Sequence, residues 1–430
     1  MNPWVAILRR HPVVRASAAA IFLYGLAGAA TSPYQSVIGI RELGLSDAEY
    51  ATIALAASIT NVFMAIAIGA LSDRFQSYRR PLIVAAAFGI LGYGTIWAAP
   101  SAIVFALATV GPLALFHATN SLLFGNVSAQ TARLHADDAQ IVNALMRMAI
   151  SLSWVLVPGA VGLLMIGRDS MIGAYLIAAL AAAACLATIV LGLAPDHPRR
   201  PLRRSETTPD AIPEGGTGTA RVAPSSGRAD RPVQVRLPGS VIGDMAQIFR
   251  PSLLAPVIGI ALISQVLHVN GAVLPLIMTG QAGGQTGDVG FAVGMVALLE
   301  VVFMFGWTWS LRYLRVTTAL GLSIAIYMGY LVGLALASDP AHIFAASLLA
   351  GIGAAGIISI PISYLLDLIQ DRPGLSASLI AVNMFLGGAI GAGIFAMGTA
   401  LQGYPAAAIL SGIGGLAGAG LLILLERKSR

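Results

Sequence analysis

Gly69-Ala-Leu-Ser-Asp-Arg-Phe-Gln-Ser-Tyr-Arg-Arg80 sets one acid and three arginines between two long apolar runs. With 57% hydrophobic and 10% charged side chains and a mean hydropathy of +0.82, the chain has too little polar surface to coat a soluble domain of its size. The stretch therefore reads as a charged hinge on the cytoplasmic side, between two membrane helices. Windows of about 18 or more apolar residues, the length needed to cross a hydrocarbon core of about 30 Å, recur roughly twelve times.

Working outward from the hinge, span two precedes it (about Glu49 to Leu71) and span one lies before that (about Ala16 to Ile40). Spans three to six follow at about Pro81–Ala99, Ser101–Val127, Ala139–Ile166 and Met171–Ala194. From Pro195 to Arg250 the chain turns rich in Pro, Gly, Ser, Thr and Arg, a composition that buries too little apolar area to offset ordering entropy. The expected domains are thus a six-helix bundle over 1–194, a largely disordered cytoplasmic linker over 195–250 with a short amphipathic helix at Val241–Phe249, and a second six-helix bundle over 251–430. The run after Arg15 is too long for a cleavable signal, so span one is expected to remain.

Arginine placement orients the chain. With the N-terminus inside, Arg9, Arg10, Arg15, Arg74, Arg79, Arg80, Arg133, the linker arginines, Arg312, Arg315, Arg372 and the C-terminal Arg427, Lys428 and Arg430 are cytoplasmic, leaving only Arg41 and Arg168 outside. This excess predicts both termini in the cytoplasm of a bacterial inner membrane. It also accounts for the net charge of +6 without invoking nucleic acid. The single Cys185 excludes an intrachain disulfide and reads as a packing residue.

A six–linker–six plan resembles the major facilitator superfamily, whose halves are parallel repeats. Pro33 in span one and Pro275 in span seven sit at comparable depth, and the hinge has a worn counterpart in Gly306-Trp-Thr-Trp-Ser-Leu-Arg312, with Ser310 in place of the acid. Gly69, Asp73 and Arg74 match the superfamily signature between spans two and three, and Arg79 and Arg80 supply its basic pair. The spacing is longer by two residues, and Gln76-Ser77-Tyr78 stands where a glycine is usual. The resemblance implies a latch that favours the outward-open state. His117-Ala-Thr-Asn-Ser-Leu-Leu-Phe-Gly125, Arg147-Met-Ala-Ile-Ser-Leu-Ser-Trp-Val155 with Pro158, and Tyr364-Leu-Leu-Asp-Leu-Ile-Gln-Asp-Arg-Pro-Gly374 with Asn383 are similar to the sugar efflux transporters within that superfamily. Ser121-Leu122 and Val157-Pro158-Gly159 depart from that family's Pro-Gln and Gly-Pro-Pro.

Ionisable and polar groups inside spans are costly and point to function. Arg147, about 12 Å into span five, reads either as a donor to sugar hydroxyls or as an arginine snorkelling to the headgroups. Trp154, two turns on, offers a ring face to a pyranose. Glu300, mid-span in span eight, reads either as a proton-exchanging carboxyl or as an acid hydrogen-bonded at a helix interface. His117, Asn120, Asn61, His268, Asn270, Asn383 and Gln35 offer further donors and acceptors, and Asp367, near Asp371 and Arg372, reads as a gate. Gly351-Ile-Gly-Ala-Ala-Gly356 fits a dinucleotide pattern but lies in an apolar span, so it reads as a small-residue packing face.

The histidines lack metal-ligand spacing and no P-loop is present, so no cofactor, metal or ATP-driven pump is expected. The chain is expected to be a monomeric, non-enzymatic secondary transporter. Its predicted role is to export a small neutral hydrophilic solute, a sugar or glycoside, by alternating access, as an antiporter if protons drive it. The alternatives are a proton-coupled multidrug exporter, favoured if Phe303, Trp307 and Trp309 turn inward, a membrane enzyme on lipid-linked substrates, and a transporter-like receptor. The enzyme would need acids or histidines clustered at a membrane face, and the sequence offers none.

Overall fold

The computed structural model describes residues 7, 11–75, 77–131, 136–168, 170–193, 251–367 and 373–428, and no strand occurs among them. In some helical stretches, 69–71, 73–75 and 373–382 among them, only the backbone is described. The expected linker and its amphipathic helix, Arg133, Asp371 and Arg372 fall outside the described residues.

Six helices make the first half. Helix α1 (Pro12–Thr31) is continued by a 3₁₀ turn (Ser32–Tyr34) and a π-helical stretch (Val37–Glu42). It is followed by α2 (Asp47–Phe75), α3 (Arg79–Ala98), α4 (Ala102–Ala108 and Ala114–Thr131, joined by a π-helical turn), α5 (Ala136–Leu164) and α6 (Gly173–Gly192). The second half comprises α7 (Pro251–Thr279), α8 (Thr286–Ser310), α9 (Val316–Ala335), α10 (Pro340–Asp367), α11 (Pro373–Gln402) and α12 (Tyr404–Lys428). Eleven of these are long and apolar enough to cross a membrane, and α2, at 29 residues, matches them in length. Every expected span is present with its ends within a few residues.

Both halves pack alike. α1 lies against α5 and α6, α3 against α4 and α6, and α2 against α4; adding six to each number gives the contacts of the second half. The halves meet principally along α5 with α8 and α2 with α11, two seams that the same operation exchanges. Turn chemistry repeats as well. Among the described residues, positive φ occurs at Gly44 and Gly283, before α2 and α8, and at Gly167 and Gly403, after α5 and α11. The starts of α2 and α8 each carry a reciprocal cap, Ser46 with Glu49 and Gln285 with Asp288.

Small residues set the helix spacing. A Cβ on Gly290 of α8 would lie 2.2 Å from the Pro158 carbonyl oxygen of α5 and 2.3 Å from the Tyr34 hydroxyl, so the seam closes only on glycine. The glycine pattern of α10 is a packing face as expected. A Cβ on Gly351 would meet Leu299 of α8 at 2.3 Å, and one on Gly356 would meet the Ser323 hydroxyl of α9 at 2.1 Å. Cys185 is buried, its Sγ donating to the Ala20 carbonyl at 3.3 Å.

Polar contacts between the halves gather at the far end of the molecule, opposite the chain termini. The Arg41 guanidinium, in the π-helical stretch of α1, donates to the Thr279 hydroxyl at 2.5 Å and to the Leu276 carbonyl at 2.7 Å. It thereby caps the Leu276 carbonyl in the last turn of α7, where a cation also opposes the helix dipole. The adjacent Glu42 turns into its own half, accepting from the Ser170 hydroxyl at 2.5 Å and the Met171 N–H at 2.8 Å. A second clasp joins α2 to the last two helices. The Tyr404 hydroxyl donates to Asp47 at 3.1 Å, and Tyr50 meets Phe395 edge-on at a centroid distance of 5.8 Å.

Gly290→Val should lower the unfolding temperature in detergent, whereas Gly28→Ala, where an added Cβ meets nothing within 4 Å, should leave it unchanged. Arg41→Ala should favour a far-end-open state by about 1–2 kcal/mol, the cost of two charge-assisted bonds discounted for exposure. Distances between spin labels on the far-end loops would show the shift, and an unchanged distribution would deny the clasp.

Candidate functional site

Between the halves lies a cavity of about 430 Å³. Its position follows from the packing. Helices α1, α5, α7 and α8 face one another across the pseudo-twofold axis, and the two prolines at matching depth, Pro33 and Pro275, both line the space. Proline interrupts the helical hydrogen-bond ladder, and Pro275 removes the donor that would otherwise serve the Gly271 carbonyl. Gly271 is itself a lining residue. The wall is lopsided, with eleven of fourteen lining residues on α7 to α10 and only Ser32, Pro33 and Trp154 from the first half.

Most of the wall is apolar, built of residues such as Leu267, Leu274, Val293, Val296, Ala297 and Ile358. Five polar side chains break it: Ser32, Trp154, Asn270, Glu300 and Tyr327. The Asn270 Oδ1 accepts from the Tyr330 hydroxyl at 2.7 Å, and that is the only hydrogen bond its side chain makes to a described residue. The Trp154 indole N–H, the Glu300 carboxyl and the Tyr327 hydroxyl make none to any described residue. The cavity wall thus carries two N–H donor groups, one carboxyl and two hydroxyls on an apolar frame, which suits a ligand whose polar edge both donates and accepts.

The structure brings Trp154, Asn270 and Glu300 together and leaves other sequence candidates elsewhere. Arg147 is exposed and does not line this cavity, nor does the half-buried Gln35. His117 lies within the first half, its Nδ1 3.3 Å from the Tyr24 hydroxyl and its ring beside Phe116. Asn120 has a buried Oδ1 without a partner among the described residues. His268 is exposed, with its Nδ1 3.3 Å from the Ser264 carbonyl, and packs beside Gly387, Gly388 and Gly391 of α11. Asn383 is buried; its Oδ1 accepts from the Ser264 hydroxyl and its amide donates to the Val257 carbonyl, each at 3.3 Å. That arrangement ties α11 to α7.

In the hinge, the Arg79 guanidinium donates to the Val190 carbonyl of α6 at 2.8 Å, and Arg80 is exposed. The side chains of Asp73, Arg74 and Asp367, and the surroundings of Gly69, lie outside the described residues. Sequence reasoning missed Tyr327 and Tyr330, because an aromatic residue in an apolar span reads as core. Their spacing of three residues, which places them on one helix face, was the available signal.

Among curated proteins, the chain is 23% identical over 416 residues to the "Putative sugar efflux transporter" of Deinococcus radiodurans, covering 96% of this chain and 97% of that protein. Among solved structures it resembles a POT family transporter in complex with a thioalcohol-conjugated peptide (TM-score 0.73, 11% identity, 96% of each chain). It also resembles the nucleoside transporter NupG (TM-score 0.66, 13% identity, 100% of this chain and 98% of that one). At such identities the solved structures speak for the fold alone. Residues 17–392 match the family model for the Major Facilitator Superfamily, and with two pseudo-symmetric six-helix bundles around a central cavity the chain belongs to that superfamily of transporters.

Proposed function

We propose that the protein exports a small neutral hydrophilic solute, a sugar or glycoside, by alternating access of the cavity between the halves. The observation that carries this reading is the set of unpaired polar groups on an apolar wall. A pyranose has C–H faces that pack on such a wall and on the Trp154 ring, and hydroxyls that both donate and accept. The volume of about 430 Å³ lies within the range of small-ligand sites. Similarity to a protein named as a sugar efflux transporter points the same way.

Glu300 is the proposed proton site, because it is a carboxyl on the cavity wall with no hydrogen-bond partner among the described residues. A carboxyl that binds a proton while the cavity faces one side and yields it when solute enters from the other makes the cycle an antiport. Orientation follows the positive-inside rule, with both termini in the cytoplasm of a bacterial inner membrane. The far end is then outside, and its clasps give an inward-facing state. We assign gating to the hinge residues Gly69, Asp73, Arg74, Arg79 and Arg80 and to Asp367, at the end opposite those clasps.

The apolar wall is the observation that favours a second reading, export of amphipathic drugs. The aromatic face that reading calls for is not on the cavity. Trp307 is buried with its N–H donating to the Ile352 carbonyl at 2.8 Å, and Trp309 is exposed against Tyr313.

Uptake of a labelled sugar panel into proteoliposomes, with and without an imposed pH gradient, tests the proposal. Glu300→Gln should abolish the gradient-driven component while leaving counterflow, and Trp154→Ala should raise KM about tenfold, the loss of one stacking contact. Drug accumulation without sugar transport would favour the second reading. Asp73→Asn should slow turnover with substrate affinity kept, and unchanged transport in that variant would reduce the hinge to a topology signal.

A further inference from the structure

We infer that Tyr330 is a positioning residue that holds the Asn270 carboxamide with its N–H₂ toward the cavity, so that the site receives one ligand hydroxyl as a hydrogen-bond acceptor at that point. The inference rests on the solute-binding role proposed for the cavity.

A carboxamide has two ends of opposite hydrogen-bonding character and nearly equal shape, so an unrestrained Asn270 would present either one. A phenol hydroxyl can donate or accept, but Asn270 is the only described side chain to which the Tyr330 hydroxyl is hydrogen-bonded, and a buried O–H without an acceptor is costly, so Tyr330 fixes the choice by donating. Its hydroxyl donates to Oδ1 at 2.7 Å, and the ring is fully buried, held edge-on to Tyr327 at a centroid distance of 5.2 Å. At 0% exposure Tyr330 cannot touch a ligand, so any influence on recognition passes through Asn270. With Oδ1 engaged and Asn270 lining the cavity, the unpaired end is the N–H₂ group. A buried donor left unmatched is costly, so the site penalises a ligand that offers no acceptor there.

Glu300 supports the same polarity. Its carboxyl lines the same cavity, on the neighbouring helix, and an amide N–H is the end that a carboxyl favours. Because both residues line one cavity, a ligand that accepts from Asn270 can also donate to the Glu300 carboxyl. An ether or a carbonyl at that position supplies only the first, and an ammonium only the second. Tyr330 thereby turns an apolar pocket with scattered polar groups into one that reads a hydroxyl.

The test uses the full-length protein in proteoliposomes, with labelled methyl β-D-glucoside and methyl β-D-galactoside as probes. Their monodeoxy and monodeoxyfluoro derivatives serve as competitors. A C–F group accepts weakly but cannot donate, and a C–H group does neither. In the wild type, at one hydroxyl position, the fluoro derivative should compete about tenfold better than the deoxy derivative. Tyr330→Phe frees the carboxamide to rotate, and the preference should fall to within about twofold, with KM for the parent rising by more than the maximal rate falls. Asn270→Asp, which leaves Tyr330 in place, should also abolish the preference and decides the matter if Tyr330→Phe fails to fold. Retention of the preference in either variant, or its absence at every position in the wild type, would overturn the inference while leaving glycoside binding intact. Failure of both parent glycosides to bind the wild type would overturn the solute reading and this inference together.

Discussion

In hydrocarbon a backbone N–H or C=O without a partner costs several kcal/mol, so a membrane chain can leave the helical ladder only where protein or a cavity takes up the freed groups. The irregular positions of this chain obey that constraint. Pro33 and Pro275 interrupt their helices on the cavity wall. Pro158 lies on the tight α5–α8 seam, where its own carbonyl accepts from the Tyr34 hydroxyl at 2.7 Å. The Leu276 carbonyl in the last turn of α7 is met by a guanidinium from the other half. These breaks coincide with places where the halves meet or enclose space, whereas the π-helical turn of α4 packs within the first half.

Because the constraint binds each half internally, little is left to join them. Apart from the α7 carbonyl met by Arg41, the contacts between the bundles among the described residues lie mainly along the exchanged seams, at the Ser32–Tyr34 turn and at the far-end clasps. Large contact areas that slide or part as units, with a cavity at the axis, suit a cycle of rocking bundles. The lopsided wall adds a refinement. Eleven of the fourteen lining residues belong to the second half, so under the proposed function a bound solute would keep its contacts there while the first half, bringing Trp154, closes over it.

The sequence made the helices legible because hydropathy over about twenty residues is a strong signal in a chain of this composition. It also made legible the pairing of Pro33 with Pro275, and it singled out Trp154, Asn270 and Glu300, which line the cavity. Helix rotation was not legible. Hydropathy is nearly uniform around these helices, so nothing in the pattern says that Asn270 looks into the cavity while His117 looks toward Tyr24. Arg147 illustrates the same gap, since depth along α5 does not say which way the side chain leaves it. The turn glycines were overlooked for another reason: Gly44, Gly167, Gly283 and Gly403 are four of 48 glycines, and only φ separates them from the packing glycines.

The neighbouring residues Arg41 and Glu42 face opposite halves, and this divides the mechanical work of opening. Glu42 moors the end of α1 to the start of α6, so α1 cannot yield when the bundles part. Strain then falls on the Arg41 side, on a single exposed guanidinium holding a hydroxyl and a carbonyl. Such a joint behaves like a fuse. Because its charge sits in water rather than lipid, dissolved ions screen its attraction to the helix end over roughly 10 Å at about 0.1 M salt. The strength of this joint is thereby tied to the ionic strength of the compartment the far end faces.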